Sequence, residues 1–391
     1  MRSPIARFTV MTLGIGLIGC VGGIGDAPDG SSGAATGGAV GAGSGGHGDP
    51  AGKGGSGGAP GGVAGNVGTA GRAGGGAGGL RAGGSGGARA LGTGGAPAGA
   101  GGSGPVDPSA KFVGNITTSG AVRSGFATYW NQISPENEGK WGSVQSSQNA
   151  FNWASLDRIY NYAQSNNVIF KQHNFIWGKQ QPSWVNSGNA EAAVQAWMKA
   201  FCTRYPNTKL IDVVNEPPPH TTPAYIAGMG GAGTSGYDWI ANAFKWARAA
   251  CPNAILILND FNNIEFAADN NHTIDIVNRI KAAGAPIDAI GAQAHAAYQL
   301  PTATVKGFID KLAATGLPVY ITEYDIPIAD DNQQKSIMQD QITMYFNDAN
   351  VRGVTLWGYI VGTTWKANTG LQQTNGTMRP AMTWLMSFLG R

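Results

Sequence analysis

From Lys111 to Arg391, short apolar runs rich in β-branched and aromatic residues alternate with longer stretches whose apolar positions recur at helical spacing. Short apolar blocks suit buried strands and a 3.6-residue period suits helices, so the alternation predicts βα units on a parallel sheet. The predicted strands are residues 112–116, 127–133, 169–173, 210–215, 255–259, 287–293, 319–322 and 353–357. Between them, helices are predicted at 153–166, 191–205, 236–250, 271–283, 304–315 and 333–347. Several end at helix-stopping sequences, among them Tyr205-Pro206, Cys251-Pro252 and Ala283-Gly284-Ala285-Pro286. The fold class expected is α/β, a (β/α)8 TIM barrel, whose usual size of about 250 residues suits this part of the chain.

Polar side chains collect where these strands end. Glu136, Asn137 and Lys140 follow the second strand, His173 and Trp177 the third, and Asn215 and Glu216 the fourth. Asn259 and Asp260 follow the fifth, Gln293 and His295 the sixth, Glu323 and Asp325 the seventh, and Trp357 and Trp365 the eighth. In a barrel all those ends converge on the face where active sites of this architecture are built.

Composition separates the rest of the chain from this domain. Every Trp and Tyr lies after Asp107, whereas roughly two-thirds of the 63 glycines lie before it. Residues 21–107 are nearly all Gly, Ala and Ser, a composition that cannot bury a core, and are expected to form a disordered linker. Residues 1–20 carry Arg2 and Arg7, an apolar run and Leu17-Ile18-Gly19-Cys20, which reads as an export signal. That ending resembles a bacterial lipobox with Cys20 lipidated; the other reading is an ordinary cleaved signal that happens to contain a cysteine. The expected organisation is a signal at 1–20, a linker at 21–107 and a catalytic barrel at 108–391. The expected location is outside the cell, secreted or held at the bacterial surface by lipid at Cys20. Cys202 and Cys251 fall near the ends of neighbouring predicted helices, and either a disulfide or two separate buried thiols fits. The net charge of +3, without a basic block, points to no nucleic-acid partner.

Glu216 and Glu323 each terminate an apolar strand, in Asp212-Val213-Val214-Asn215-Glu216 and Ile321-Thr322-Glu323-Tyr324-Asp325. A carboxylate there is costly to desolvate, so it is usually paired or catalytic. Two of them on one face suit glycosidic hydrolysis, which needs an acid for the leaving oxygen and a carboxylate facing the anomeric carbon. The two motifs, with Ser134-Pro135-Glu136-Asn137-Glu138-Gly139-Lys140-Trp141, Lys171-Gln172-His173-Asn174-Phe175-Ile176-Trp177, Asn259-Asp260-Phe261-Asn262 and Gly291-Ala292-Gln293-Ala294-His295, resemble those of glycoside hydrolase family 10. The resemblance covers residues 111–390, and typical members of the family are endo-β-1,4-xylanases.

The resemblance implies a retaining enzyme with Glu216 as acid/base and Glu323 as nucleophile, acting on xylan or xylo-oligosaccharides as a monomer. It implies that Gln293 and His295 hold Glu323, with Asp325 orienting His295, and that Asn215 meets the sugar 2-hydroxyl. Glu136, Asn137, Lys140, His173 and Gln180 would bind sugar hydroxyls, and Trp177, Trp357 and Trp365 would wall the subsites. Neither a metal nor a cofactor is expected. Gly178 stands where the family commonly has histidine, and Val361 where it commonly has aspartate. The loop Pro217-Pro218-Pro219-His220-Thr221-Thr222-Pro223 is expected to border the cleft on the leaving-group side and to influence product pattern. Another retaining β-glycosidase, or a surface lipoprotein that binds glycan without cutting it, are the alternative readings.

Overall fold

The computed structural model describes residues 111–391, so the expected signal, the lipobox ending at Cys20 and the linker lie outside the described residues. Nine strand segments form one parallel sheet: β1 (Phe112–Ile116), β2 (Gln132–Ser134), β3 (Ile169–Gln172), β4 (Ile176–Trp177), β5 (Leu210–Asn215), β6 (Ile255–Asp260), β7 (Ala289–Ala292), β8 (Val319–Tyr324) and β9 (Val351–Leu356). The sheet closes, because β1 pairs with β9 and β3 pairs with β5. β3 and β4 are two pieces of one barrel position, both paired to β5, so the barrel has eight positions. The expected TIM-barrel class is the one observed.

The larger helices alternate with the strands: α3 (Ala154–Ser165), α4 (Ala190–Arg204), α5 (Asp238–Ala250), α6 (Ala267–Ala282), α7 (Thr302–Ala313) and α8 (Asp331–Asn347). Strand side chains alternate between two environments. Phe112, Ile169, Leu210, Ile257, Ala289 and Tyr320 pack together inside the barrel, while Ile211, Val213, Leu256 and Leu258 join the larger core under the helices. Above that inner apolar layer the barrel fills with buried polar side chains, including Lys171, Asp212, Asn259 and Thr322. They form the floor of the mouth.

Three elements depart from the sequence-based expectation. The second strand is only β2, because the first part of the expected 127–133 run coils into α1 (Phe126–Tyr129). Phe126 and Trp130 are four residues apart, both buried, and both meet the ring of Tyr359; a helical turn brings them close enough to share it, whereas an extended chain would hold them about 13 Å apart. Gly125 opens the turn in the left-handed region (φ 75°). The second departure is α9 (Pro380–Leu389), where no helix was expected although Ala381, Met382, Leu385 and Met386 are buried on one side and Thr383 and Ser387 are exposed on the other. Its ends carry ordinary signals, Pro380 in the first turn and Gly390 in the left-handed conformation (φ 68°) just beyond. The short α2 (Trp141–Val144) was also unpredicted.

Cys202 and Cys251 form a disulfide, with Cα atoms 5.5 Å apart, joining the ends of α4 and α5. This decides between the two readings left open by the sequence.

Candidate active site

Glu216 follows β5 and Glu323 lies in β8, with β6 and β7 between them, and a chain of side-chain amides links the two. Asn259 Nδ2, at the end of β6, donates to Glu323 Oε1 (2.9 Å) and to Asn215 Oδ1 (2.7 Å). Asn215 Nδ2 in turn lies 3.3 Å from Glu216 Oε1. Thr322 Oγ1 donates to Asn259 Oδ1 (2.6 Å), which fixes the orientation of that amide. Gly291 on β7 faces Asn259, and a Cβ there would collide with its carbonyl oxygen.

Charged partners surround Glu323. His295 Nε2 is 3.3 Å from Glu323 Oε2, and its Nδ1 is 3.1 Å from Asp325 Oδ2. His173 Nδ1 lies 3.9 Å from Glu323 Oε1 and 2.9 Å from Asp212, which also pairs with Lys171 beneath. Burial alone would raise the Glu323 carboxyl; the His295 hydrogen bond, together with His173, His295 and Lys171, outweighs it and holds the group at about 2. Burial would likewise lower the His295 imidazole, but Asp325 and then Glu323 push it up to about 9. The two form a buried ion pair at neutral pH.

Glu216 is met by neutral donors. Trp177 Nε1 donates to Oε2 (2.9 Å), and Gln293 Nε2 to Oε1 (3.2 Å). Gln293 therefore does not hold Glu323, as the resemblance implied. Its amide reaches Asn215 Oδ1 (3.3 Å) and Glu216, while Asn259 from the strand between occupies the near oxygen of Glu323. The backbone of Glu216 is in the left-handed region (φ 49°), with its N–H donated to the Asn259 carbonyl (2.8 Å).

One flank is polar and carries the β2-side residues. Asn137 Oδ1 accepts from Lys140 Nζ (2.9 Å) and Gln180 Nε2 (3.3 Å), and the Lys140 ammonium sits 4.7 Å from the centre of the Trp177 ring. Burial pushes the Glu136 carboxyl up to about 7 against the pull of Lys140, with Glu138 and Glu323 adding to the rise. Trp357 is buried (6% exposed), with its ring edge-on to His173 at 5.1 Å. Trp365 is 45% exposed; its Nε1 donates to Asp325 Oδ2 (2.6 Å), and its ring lies 4.6 Å from that of His295.

The structure thus brings together the residues singled out at the strand ends, except Asp260, whose carboxylate turns to His220. It adds Lys171 and Asp212, which the sequence shows only inside motifs and without roles, and gives the strand-end Asn259 its partner, Glu323. The Gly178 position is filled from elsewhere: a Cβ there would lie 2.7 Å from both Thr221 Cβ and the Thr222 nitrogen. Among the described residues no group of His, Cys, Asp and Glu is arranged to hold a metal ion.

The sequence model of glycosyl hydrolase family 10 matches residues 108–388. The chain belongs to that family. The chain is similar to endo-1,4-beta-xylanase B of Cellvibrio japonicus, 50% identical over 281 residues, which are 71% of this chain and 45% of that protein. Endo-1,4-beta-xylanase C of Phanerodontia chrysosporium is 32% identical over 260 residues, 62% of this chain and 63% of its own length. The chain thus spans less than two-thirds of either relative. The native xylanase 10B of Thermotoga maritima superposes with a TM-score of 0.63 at 23% identity, covering 72% of this chain and 96% of that one. At that identity the likeness speaks for the shared barrel fold.

Proposed function

We propose that this family 10 chain is an endo-β-1,4-xylanase that cuts internal xylosidic bonds with retention, Glu323 serving as nucleophile and Glu216 as acid/base. The observation that carries this reading is the contrast between the two carboxylates. Glu323 is held ionised by the His295 hydrogen bond, with His173 and Lys171 nearby, as a nucleophile must be, while Glu216 is contacted only by neutral amides and an indole. In the first step the Glu323 carboxylate attacks the anomeric carbon, the glycosidic C–O bond breaks, and Glu216 gives its proton to the leaving oxygen. In the second, water attacks the same carbon, Glu216 takes the water proton, and the sugar–Glu323 bond breaks. The Asn215–Asn259 pair spans both carboxyls and can follow the charge from one to the other. The substrate class is supported by the polar flank of Asn137, Gln180 and Lys140 beside Trp177 and by the names of the relatives.

Reducing ends released from xylan and from β-glucan test the substrate: xylan cleavage is expected, and activity confined to glucan would sink the assignment. Proton NMR of the first product should show the β-anomer, and the α-anomer would refute double displacement. We further propose that the protein works outside the cell as a monomer, either secreted or lipid-anchored at Cys20. The disulfide supports an oxidising compartment. Labelled fatty acid should enter the full chain and not a Cys20→Ser variant if the anchor exists.

A further inference from the structure

The loop that leaves Glu216 is tied down on two sides. On one side Thr221 Oγ1 donates to the Glu216 carbonyl (2.6 Å) and accepts from the Gly178 N–H (3.3 Å). On the other, His220 sits between two carboxylates. Its Nδ1 lies 2.7 Å from Asp260 Oδ1 at the end of β6, and its Nε2 lies 3.2 Å from Asp269 Oδ1 in the first turn of α6. The ring also stacks on Phe261, with centroids 3.8 Å apart. One residue pair further out, His272 Nε2 of α6 donates to the Pro218 carbonyl (2.6 Å).

A neutral imidazole has one N–H and a protonated one has two. Both ring nitrogens of His220 face carboxylates, which only accept when ionised, so a single ring satisfies both contacts only as the imidazolium. We propose that His220 is a positioning residue for Glu216: its imidazolium joins the Glu216 loop to β6 and α6 and holds the acid/base carboxyl in register with the leaving oxygen. Glu216 needs such support, because a glutamate in the left-handed region persists only where its surroundings impose it. The proposal rests on the acid/base reading of Glu216.

The charged and titratable groups near the ring are Asp260 and Asp269 in contact, Glu216 and Glu265 beyond these, and His272 with Tyr237 on the outer side. Burial opposes the charge on His220, and the two aspartates overcome it, so the imidazole lies above its usual value. Burial pushes Asp260 up to about 6 against the pull of His220. Asp260 is ionised at pH 7; the clamp loosens as the ring loses its proton with rising pH and as Asp260 gains one below about 6.

The test uses the whole chain, His220→Gln, and Asp269→Asn, which alters a partly exposed side chain (22%) and leaves the packing alone. A xylo-oligosaccharide, whose leaving sugar needs a proton, is compared with a dinitrophenyl xylobioside, whose leaving group does not. His220→Gln should lower kcat on the oligosaccharide by up to about 100-fold with little change in KM, and leave the first step on the aryl glycoside near the parent rate. Asp269→Asn should move the alkaline limb of kcat/KM to lower pH. Equal losses on both substrates, or an unmoved limb, would overturn the proposal. Nitrogen-15 NMR of His220 at pH 7 should find both ring nitrogens protonated. A neutral ring would refute the clamp whatever the substrate, whereas a protonated ring in a chain that leaves xylan uncut would count against the acid/base reading alone.

Discussion

At the scale of single residues, the site separates a charged nucleophile from a neutrally contacted acid. Glu323→Ala should therefore abolish turnover on every substrate. Glu216→Ala should cost about 10²- to 10⁴-fold on xylan yet keep the first step on aryl glycosides with good leaving groups; equal losses in both variants on every substrate would argue against the assigned roles. The ion pair also predicts a pH signature. Glu323 at about 2 lies below its ordinary value, so its contribution to stability is complete above roughly 4.3 and fades as pH falls toward 2. His295 at about 9 lies above its ordinary value, so its contribution is complete below roughly 6.5 and fades as pH rises through 9. The Tm difference between the parent and His295→Asn, read by calorimetry, should be widest near pH 5 to 6 and narrow above about 9. A constant gap would show that the histidine acts by packing alone. Both glutamates could be recognised in the sequence because each ends an apolar run, where a charge demands an explanation. The targets of the amides could not: Gln293 and Asn259 have the same chemistry, and only the closed barrel shows that Gln293 serves Glu216 while Asn259 serves Glu323.

Among the elements, the strands of the barrel were readable from their apolar runs except where aromatic residues served another period. Phe126 and Trp130 look like strand residues and pack as one face of a turn, because Tyr359 is waiting on that side. The signals of α9 were in the sequence, with Pro380 and Gly390 at its ends and Thr383 and Ser387 spaced one turn apart on its exposed side. The loop after β5 shows a second limit. Gly178 looked like a lost polar group; in the fold it is the space into which Thr221 and Thr222 settle. Gly178→Ala should push that loop and Glu216 with it, lowering kcat/KM on xylo-oligosaccharides by up to about 100-fold. Unchanged kinetics would mean that the loop yields without moving the carboxyl.

For the molecule as a whole, the Cys202–Cys251 bond closes a chain segment of 49 residues between the outer ends of two adjacent helices. Restricting the unfolded chain by a loop of that size contributes about 4 kcal/mol. Cys202→Ser/Cys251→Ser should lower Tm by several degrees while leaving kcat at 25 °C unchanged, since α4 and α5 end away from the strand ends that form the mouth; loss of activity at that temperature would tie the bond to the site. The barrel architecture followed from alternation along the chain, whereas its closure through β1 and β9 is a property of the assembled sheet alone. One aromatic at the mouth has an optical consequence. Trp130 and Trp197 are fully enclosed and should emit as a constant blue background, but the Trp365 indole is open to water while bonded to Asp325. A sugar laid against it would strip that water, so titrating the Glu323→Ala protein with xylo-oligosaccharides should shift emission toward the blue, and Trp365→Phe should erase the shift.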